Sequence, residues 1–372
     1  EEFDWIRSVV PEKNQKEIYL GIPRTGRFHA LDERYRHFVI DGLSAWRRQM
    51  TKHGAIDHLG IAAALHRHID KIEPSYRSIL VDESQDFGTL ELELIRKLTP
   101  ENKDDLFLVG DAAQHVTWKH QSLRKAGINI PGARSQKIRK NYRNTKDILK
   151  AAHYLLVENM TEEMDENEDF EILDPEFASR EGSPPYLFEA DNLEEEISSA
   201  IAFLESEVDV ETDRKGCLAI CGYSLFELEK YGQRLGIPIL NRETSLGENK
   251  LFLSDLEQTK GFEFDVVCIV NINSDIVPNQ EIPEKEHFRD LSRLYVAMTR
   301  AKTQLVLSYS NKRSSFLDLD EVEQYFLAET WDSVVDEVTH VSLPDRLDIL
   351  RQDDVETPPI SEMTGEQFLY TK

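Results

Sequence analysis

Cysteine is scarce. The 372 residues hold three, Cys217, Cys221 and Cys268, with no CxxC pair, which excludes a disulfide framework and leaves no zinc-ligand spacing. Four histidines, His53, His58, His66 and His68, fall close together without a cysteine and with few acids. They read as a solvated or partly packed helix face. No apolar run approaches the roughly 18 residues of a membrane-crossing helix. The succession of charged, apolar and small residues that marks a secretory leader is also missing. These absences point to a cytoplasmic protein in a reducing compartment, with no membrane partner. The string Gly-x-x-x-x-Gly-Lys-Ser/Thr, whose backbone N–H groups cradle phosphates, does not occur. Gly21-Ile-Pro-Arg-Thr-Gly26 has two glycines at the wrong spacing and reads as a loop. The first residue is Glu1 and not methionine, so a longer parent polypeptide is expected.

Positive charge is short as well. With 44 Lys and Arg against 70 Asp and Glu, the net charge of −26 argues, taken whole, against a phosphate backbone as partner. The deficit is local, however. Glu158 to Asp213 holds 21 acids and one base, Arg180, while Ser315 to Lys372 holds 15 acids and three bases. The other 258 residues carry 40 bases and 34 acids, a net charge of +6. The acidic run Glu162 to Asp169 reads as a solvated linker or an interaction segment, closed by Ser183-Pro184-Pro185.

Short β-branched runs recur among helical stretches: Ile79 to Val81, Leu106 to Val109 and Val266 to Val270. Runs of this length and composition predict buried parallel strands in an α/β fold, with sheets covered on both faces. A second set, Pro185 to Phe188, Leu218 to Cys221, Ile237 to Leu240 and Leu305 to Leu307, alternates with helices expected at Leu193 to Glu207 and Leu225 to Leu235. Two α/β units split at the acidic linker follow from this alternation. Near the N-terminus, Phe38 to Met50 and Ile56 to Ile72 read as helices.

Five blocks carry chemistry. Ser78-Ile-Leu-Val-Asp-Glu-Ser-Gln-Asp-Phe87 delivers Asp82 and Glu83 at the C-terminal end of a strand, where ligands sit in open α/β sheets. Leu106-Phe-Leu-Val-Gly-Asp-Ala-Ala-Gln114 ends a second strand in Gly-Asp-x-x-Gln. Lys140-Asn-Tyr-Arg-Asn-Thr145, Gln258-Thr-Lys-Gly-Phe-Glu-Phe-Asp265 and Leu294-Tyr-Val-Ala-Met-Thr-Arg-Ala-Lys302 follow. In this order, from about Ser78 to Leu307, the blocks closely resemble motifs II to VI of the UvrD/Rep-like superfamily 1 DNA helicases.

The resemblance implies two RecA-like P-loop NTPase-type domains with parallel sheets, the first incomplete. It implies ATP and Mg2+ as cofactors, and movement on single-stranded DNA, 3′ to 5′, from a duplex with a 3′ overhang. Asp82 would help hold magnesium, Glu83 would activate water and Gln114 would sense the γ-phosphate. Arg143 and Arg300 would reach that phosphate from the second domain, in a cleft between the two. Guanidinium suits this task through its permanent charge and planar fork. Tyr142 would lie against adenine, although a core tyrosine explains it nearly as well; Glu263 would sit near the ribose, and Gly261 lies in the same nucleotide-binding loop. Thr259 and Lys260 fall where the family's motif V touches DNA. Trp118 has two readings, base stacking and packing, because the family's usual aromatic three residues after the motif III glutamine is Thr117 here.

Only 113 residues separate Thr145 from Thr259, so the family's 2B insertion is expected to be reduced or absent. The expected organisation is a helical remnant of a 1B-like insertion at 1–60 and the C-terminal part of the first motor domain at 61–157. An acidic linker at 158–184, the second motor domain at 185–314 and an acidic tail at 315–372 complete it. A protein partner at the linker or tail is a further expectation. Without a phosphate loop, this chain alone is expected to be inactive. The competing reading is a non-catalytic helicase-like scaffold that binds a protein through its acidic segments.

Overall fold

The computed structural model describes residues 2–24, 31–111, 114, 119–130, 132–136, 138, 140–160, 178–208, 213–241, 244–280 and 287–331. By contact the chain divides into two units, Glu1–Ile138 and Arg139–Lys372.

In the first unit, α1 (Glu2–Val9), α2 (Gln15–Gly21) and α3 (Glu33–Lys52) close around Trp5, Ile6, Val10, Tyr19, Ile40 and Leu43. Aspartates cap two helix starts: Asp32 accepts the Tyr35 N–H at 2.8 Å, and Asp57 accepts the Gly60 N–H at 2.8 Å to begin α4 (His58–His66). Such caps contribute about 1 kcal/mol each. The second oxygen of Asp57 takes the Arg7 guanidinium at 2.5 Å, which ties α1 to α4. Gly88 precedes α5 (Thr89–Lys97), and a Cβ there would stand 2.6 Å from the Ser8 Cβ. That close approach lets α1 pack on α5. The His66 ring meets Glu93 at 2.6 Å, so this histidine is engaged by a carboxylate between α4 and α5.

Two short parallel strands, β1 (Ile79–Val81) and β2 (Leu106–Leu108), pair with Leu80 opposite Phe107. One face of this pair packs Leu106 and Leu108 against Leu92, Ile95, Ala126 and Ile128. On the other, Leu80 and Phe107 are 75% and 61% exposed.

The second unit begins with β3 (Asn141–Thr145) and α6 (Lys146–Glu158), ahead of the acidic stretch expected to mark the boundary. The reason is physical. The Asn144 amide donates to the Thr299 and Ala301 carbonyls at 2.8 and 2.7 Å, which fixes β3 to the later strands. β4 (Ala178–Arg180) pairs with β3 in parallel. Six strands form the main sheet: β5 (Tyr186–Glu189), β6 (Gly216–Ile220), β7 (Leu251–Ser254), β8 (Phe264–Val270), β9 (Ala301–Tyr309) and β10 (Leu327–Thr330). They are parallel in the order β10-β5-β9-β8-β6-β7.

Between them run α7 (Leu193–Glu207), α8 (Leu225–Leu235), α9 (Phe288–Met298) and the short α10 (Val322–Tyr325). Ile197, Ile201 and Leu204 of α7 cover one sheet face with Phe188, Val266, Cys268, Val306 and Trp331. Strand alternation sends Val267 and Ile269 to the opposite face, where α9 packs and α6 joins it. A parallel sheet covered on both faces needs continuous apolar strands, and β6 is buried along its whole length. The three cysteines lie inside this unit as buried free thiols, each pushed up in pKa by burial.

Part of the acidic stretch has a structural use. Glu194, Glu195 and Glu196 fill the first turn of α7, where carboxylates complement the positive end of the helix dipole, and Asn192 caps it. One expected strand differs: Ile237 to Leu240 gives a single bridge, Ile239 to Leu253, and the strand is β7. Pro238 has no N–H for a ladder, and the Ile237 N–H returns to Gly232 to close α8. The described residues between Thr145 and Thr259 hold only β4, α6, α7, α8 and strands of this sheet, with no further insertion domain among them.

Candidate functional site

In the first unit, β1 ends at Asp82 and Glu83. Asp82 is exposed, and one of its oxygens accepts the Glu83 N–H at 2.9 Å. Glu83 has φ of 50°, a left-handed conformation uncommon outside glycine. This turn aims its half-buried side chain at Gln85, whose amide donates to the carboxylate at 2.5 Å. The Gln85 carbonyl oxygen accepts the Asp111 N–H at 3.0 Å, and the Asp111 carboxylate accepts from the Gln114 amide at 2.9 Å. Glu83, Gln85, Asp111 and Gln114 thus form a chain between the loops after β1 and β2. Gly110 permits the approach, since a Cβ there would lie 2.5 Å from the Ser84 hydroxyl. Gln121 braces the same turn by donating to the Ser84 carbonyl at 2.5 Å.

The second unit gathers three separated blocks. Arg143 Nε meets a Glu263 oxygen at 2.7 Å, and Lys302 Nζ lies 3.4 Å from the other oxygen. All three side chains are about one-third exposed, so the pairs stabilise the fold little. Their significance is placement. The Asn141 side chain accepts the Arg143 and Asn144 N–H groups at 2.8 and 3.1 Å, which fixes the turn carrying Arg143. Tyr142 is 66% exposed with the Lys140 ammonium 4.9 Å from its ring centroid, so it is not a core residue.

Arg300 is 2% exposed; its Nε donates to the Val296 carbonyl at 3.1 Å, and its own carbonyl accepts the Phe264 N–H at 3.0 Å. Thr259 is fully buried, and its hydroxyl closes a turn on the Leu256 carbonyl at 2.7 Å. Lys260 is the half-buried neighbour, and Gly261 takes φ of 89° with open space where a Cβ would go. Trp118 lies outside the described residues.

Four contributors escaped the sequence reading. Gln85 sits two residues beyond Glu83, in the turn that follows β1. Asn144 ties the Arg143 block to the Arg300 block. Arg293 pairs with Asp290 within α9 at 3.0 Å and joins the helix to the turn before β8 through Glu257. Asp255, just after β7, accepts the Gln258 N–H at 2.7 Å, and burial pushes its carboxyl up to about 6. Among the described residues, no group of three or more His, Cys, Asp or Glu could hold a metal by itself. None of their helices is long and apolar enough to cross a membrane.

Residues 8–125 match the UvrD/REP helicase N-terminal domain, and residues 228–312 match the UvrD-like helicase C-terminal domain. The chain belongs to the UvrD/Rep-like helicases. The two UvrD/Rep-like matches together span more than half of it and contain Asp82, Glu83, Gln114, Glu263 and Arg300. A probable DNA helicase II homologue of Mycoplasma genitalium is 32% identical over 125 residues, 32% of this chain and 17% of that protein. The ATP-dependent DNA helicase Rep of Buchnera aphidicola subsp. Acyrthosiphon pisum is 36% identical over 84 residues, 22% of this chain and 13% of that protein. The matched stretches are therefore less than one-fifth of these relatives' lengths. Among solved structures, the C-terminal domain of a possible DNA helicase from a Lactobacillus shares 22% identity at a TM-score of 0.35, covering 51% of this chain and 98% of that one.

Proposed function

We propose that this chain forms part of an ATP-dependent DNA helicase or translocase that couples ATP hydrolysis to 3′ to 5′ movement on single-stranded DNA. The observation that carries the reading is the meeting of Arg143, Glu263 and Lys302, which brings three distant blocks to one place. The division at Ile138 and Arg139 supports assigning β3 and α6, with Arg143, to the second motor domain.

In this reading Glu83 takes the proton of the attacking water, held at a fixed angle by the Gln85 amide. The exposed Asp82 carboxylate has one oxygen engaged by backbone, which suits a magnesium ion otherwise held by phosphate oxygens and water. That ion, when bound, neutralises charge on the phosphoryl oxygens. Arg143 and Arg300 stabilise the charge that develops on the transferred group, and Gln114 reports its presence through Asp111. Tyr142 offers a flat exposed ring to adenine, Glu263 stands near the ribose, and Gly261 gives backbone room beside it. Lys260 and Trp118 contact the strand, while Thr259 shapes the loop that carries Lys260. The 372 residues alone lack a Gly-x-x-x-x-Gly-Lys-Ser/Thr string and are expected to show no turnover by themselves.

The test is Glu83→Gln in the intact protein that contains this chain. DNA-stimulated ATPase should fall by about a hundredfold or more, with nucleotide binding retained. Wild-type turnover in that variant would refute the assigned base.

A further inference from the structure

We infer that the solvent face of α3 is a contact track for single-stranded DNA, separate from the loops around Lys260; the inference rests on the reading of this chain as part of a DNA motor. The helix is anchored from below. Ile40, Leu43 and Met50 are buried, and Ile40 and Leu43 belong to the core shared with Trp5 and Tyr19. Its outer stripe is therefore a fixed platform. Along that stripe, at helical spacing, stand Arg34, Phe38, Asp41, Ala45, Arg48 and Lys52, a run of about 27 Å at 1.5 Å per residue.

Phe38 is 63% exposed and Tyr35, on its flank, 60%. Two large rings held open on one rigid helix contribute little to the fold and bear the cost of apolar exposure. The Arg34 guanidinium stands 5.8 Å from the Phe38 ring centroid, the combination of cation and aromatic face that suits a stacked base beside its phosphate.

Charge selects the occupant. The one acid on the stripe, Asp41, is cancelled by Lys16 at 2.7 Å. Arg48 and Lys52 have no ion-pair partner among the described residues, and Ala45 leaves the middle of the stripe low. Glu33 lies off the stripe, and Asp32 spends its carboxylate on the helix cap. Cations spaced along a low ridge with rings at one end match an extended polyanion with exposed bases. An acidic polypeptide would use the cations and leave the rings idle.

The experiment measures anisotropy of labelled (dT)20 with the full chain across a salt series. Tyr35→Ala with Phe38→Ala should weaken binding at least tenfold with an unchanged salt slope. Arg48→Glu with Lys52→Glu should weaken it and lower the slope of log K against log salt by about 1.4, or two phosphate contacts. All four positions are on the exposed side of the helix, and circular dichroism confirms that each variant folds. Lys260→Ala serves as the comparison. If (dT)20 binds the wild type and Lys260→Ala weakens it while both α3 variants bind normally, this inference fails and the proposed function stands. Loss with the charge variant alone also overturns it, since the face is then a general cationic patch. If the wild type does not bind (dT)20 at low salt, both readings fall together.

Discussion

The two units solve the same problem unequally. In the second, six parallel strands are covered on both faces, with Phe188 and Trp331 packed at a centroid distance of 4.4 Å and the Trp331 indole donating to the Ser308 hydroxyl at 3.0 Å. In the first, two parallel strands are covered by the described residues on one face only, and Leu80 and Phe107 look outward from the other. Parallel sheets are ordinarily buried on both sides. The first unit therefore draws its cohesion from the helical cluster around Trp5, from the single packed face of its strand pair and from the stitched loops after β1 and β2.

The contrast is open to direct attack. The largest effect should come from Phe188→Ala, which removes a fully buried ring beside Trp331 and should cost about 3 to 5 kcal/mol in the second unit. Peptide-resolved hydrogen exchange in the full chain checks whether protection falls there and stays constant in residues 1–138.

A smaller, pH-dependent effect should follow from Asp255→Asn. The folded carboxyl titrates at about 6 against an ordinary value of 3.8, so the folded state binds more protons between those values, and stability falls as pH rises through them. The Asn variant can still accept the Gln258 N–H. It should melt above wild type at pH 7.5, with the gain shrinking below pH 6 and vanishing toward pH 4. A gain that is the same at all pH values would show that burial of charge is not its cause.

The smallest effect belongs to Leu80→Ala. At 75% exposure it should change stability by no more than about 0.5 kcal/mol. A loss comparable to that of Phe188→Ala, read by the same hydrogen exchange, would mean that the bare face of β1 and β2 is covered in solution.

Much of this fold is legible in the sequence. The β1, β2 and β8 strands announced themselves as short β-branched runs, and β9 as an apolar run in the second set that alternates with α7 and α8. β7 escaped because Leu251 to Ser254 looks no more strand-like than Ile237 to Leu240; only the missing N–H of Pro238 separates them. The boundary between the units escaped because it depends on the Asn144 amide reaching two carbonyls more than 150 residues away. Asp82, Glu83, Arg143 and Arg300 were readable as motif letters. Gln85 and Arg293 were not, since their partners are decided by which loops the sheets bring side by side. Thr259 shows the opposite case, a motif letter whose side chain is consumed in building its own turn.

Gly110 illustrates how little material can bring two loops together. The turn after β1 and the turn after β2 meet closely at position 110, which carries no side chain: a methyl group there would lie 2.5 Å from the Ser84 hydroxyl and 2.7 Å from the Gln85 oxygen that holds Asp111, and both side chains would have to move. How closely the two loops approach is thus bounded by an atom that is not there. A ruler of this kind has no intermediate settings, because no natural side chain is smaller than the one it excludes.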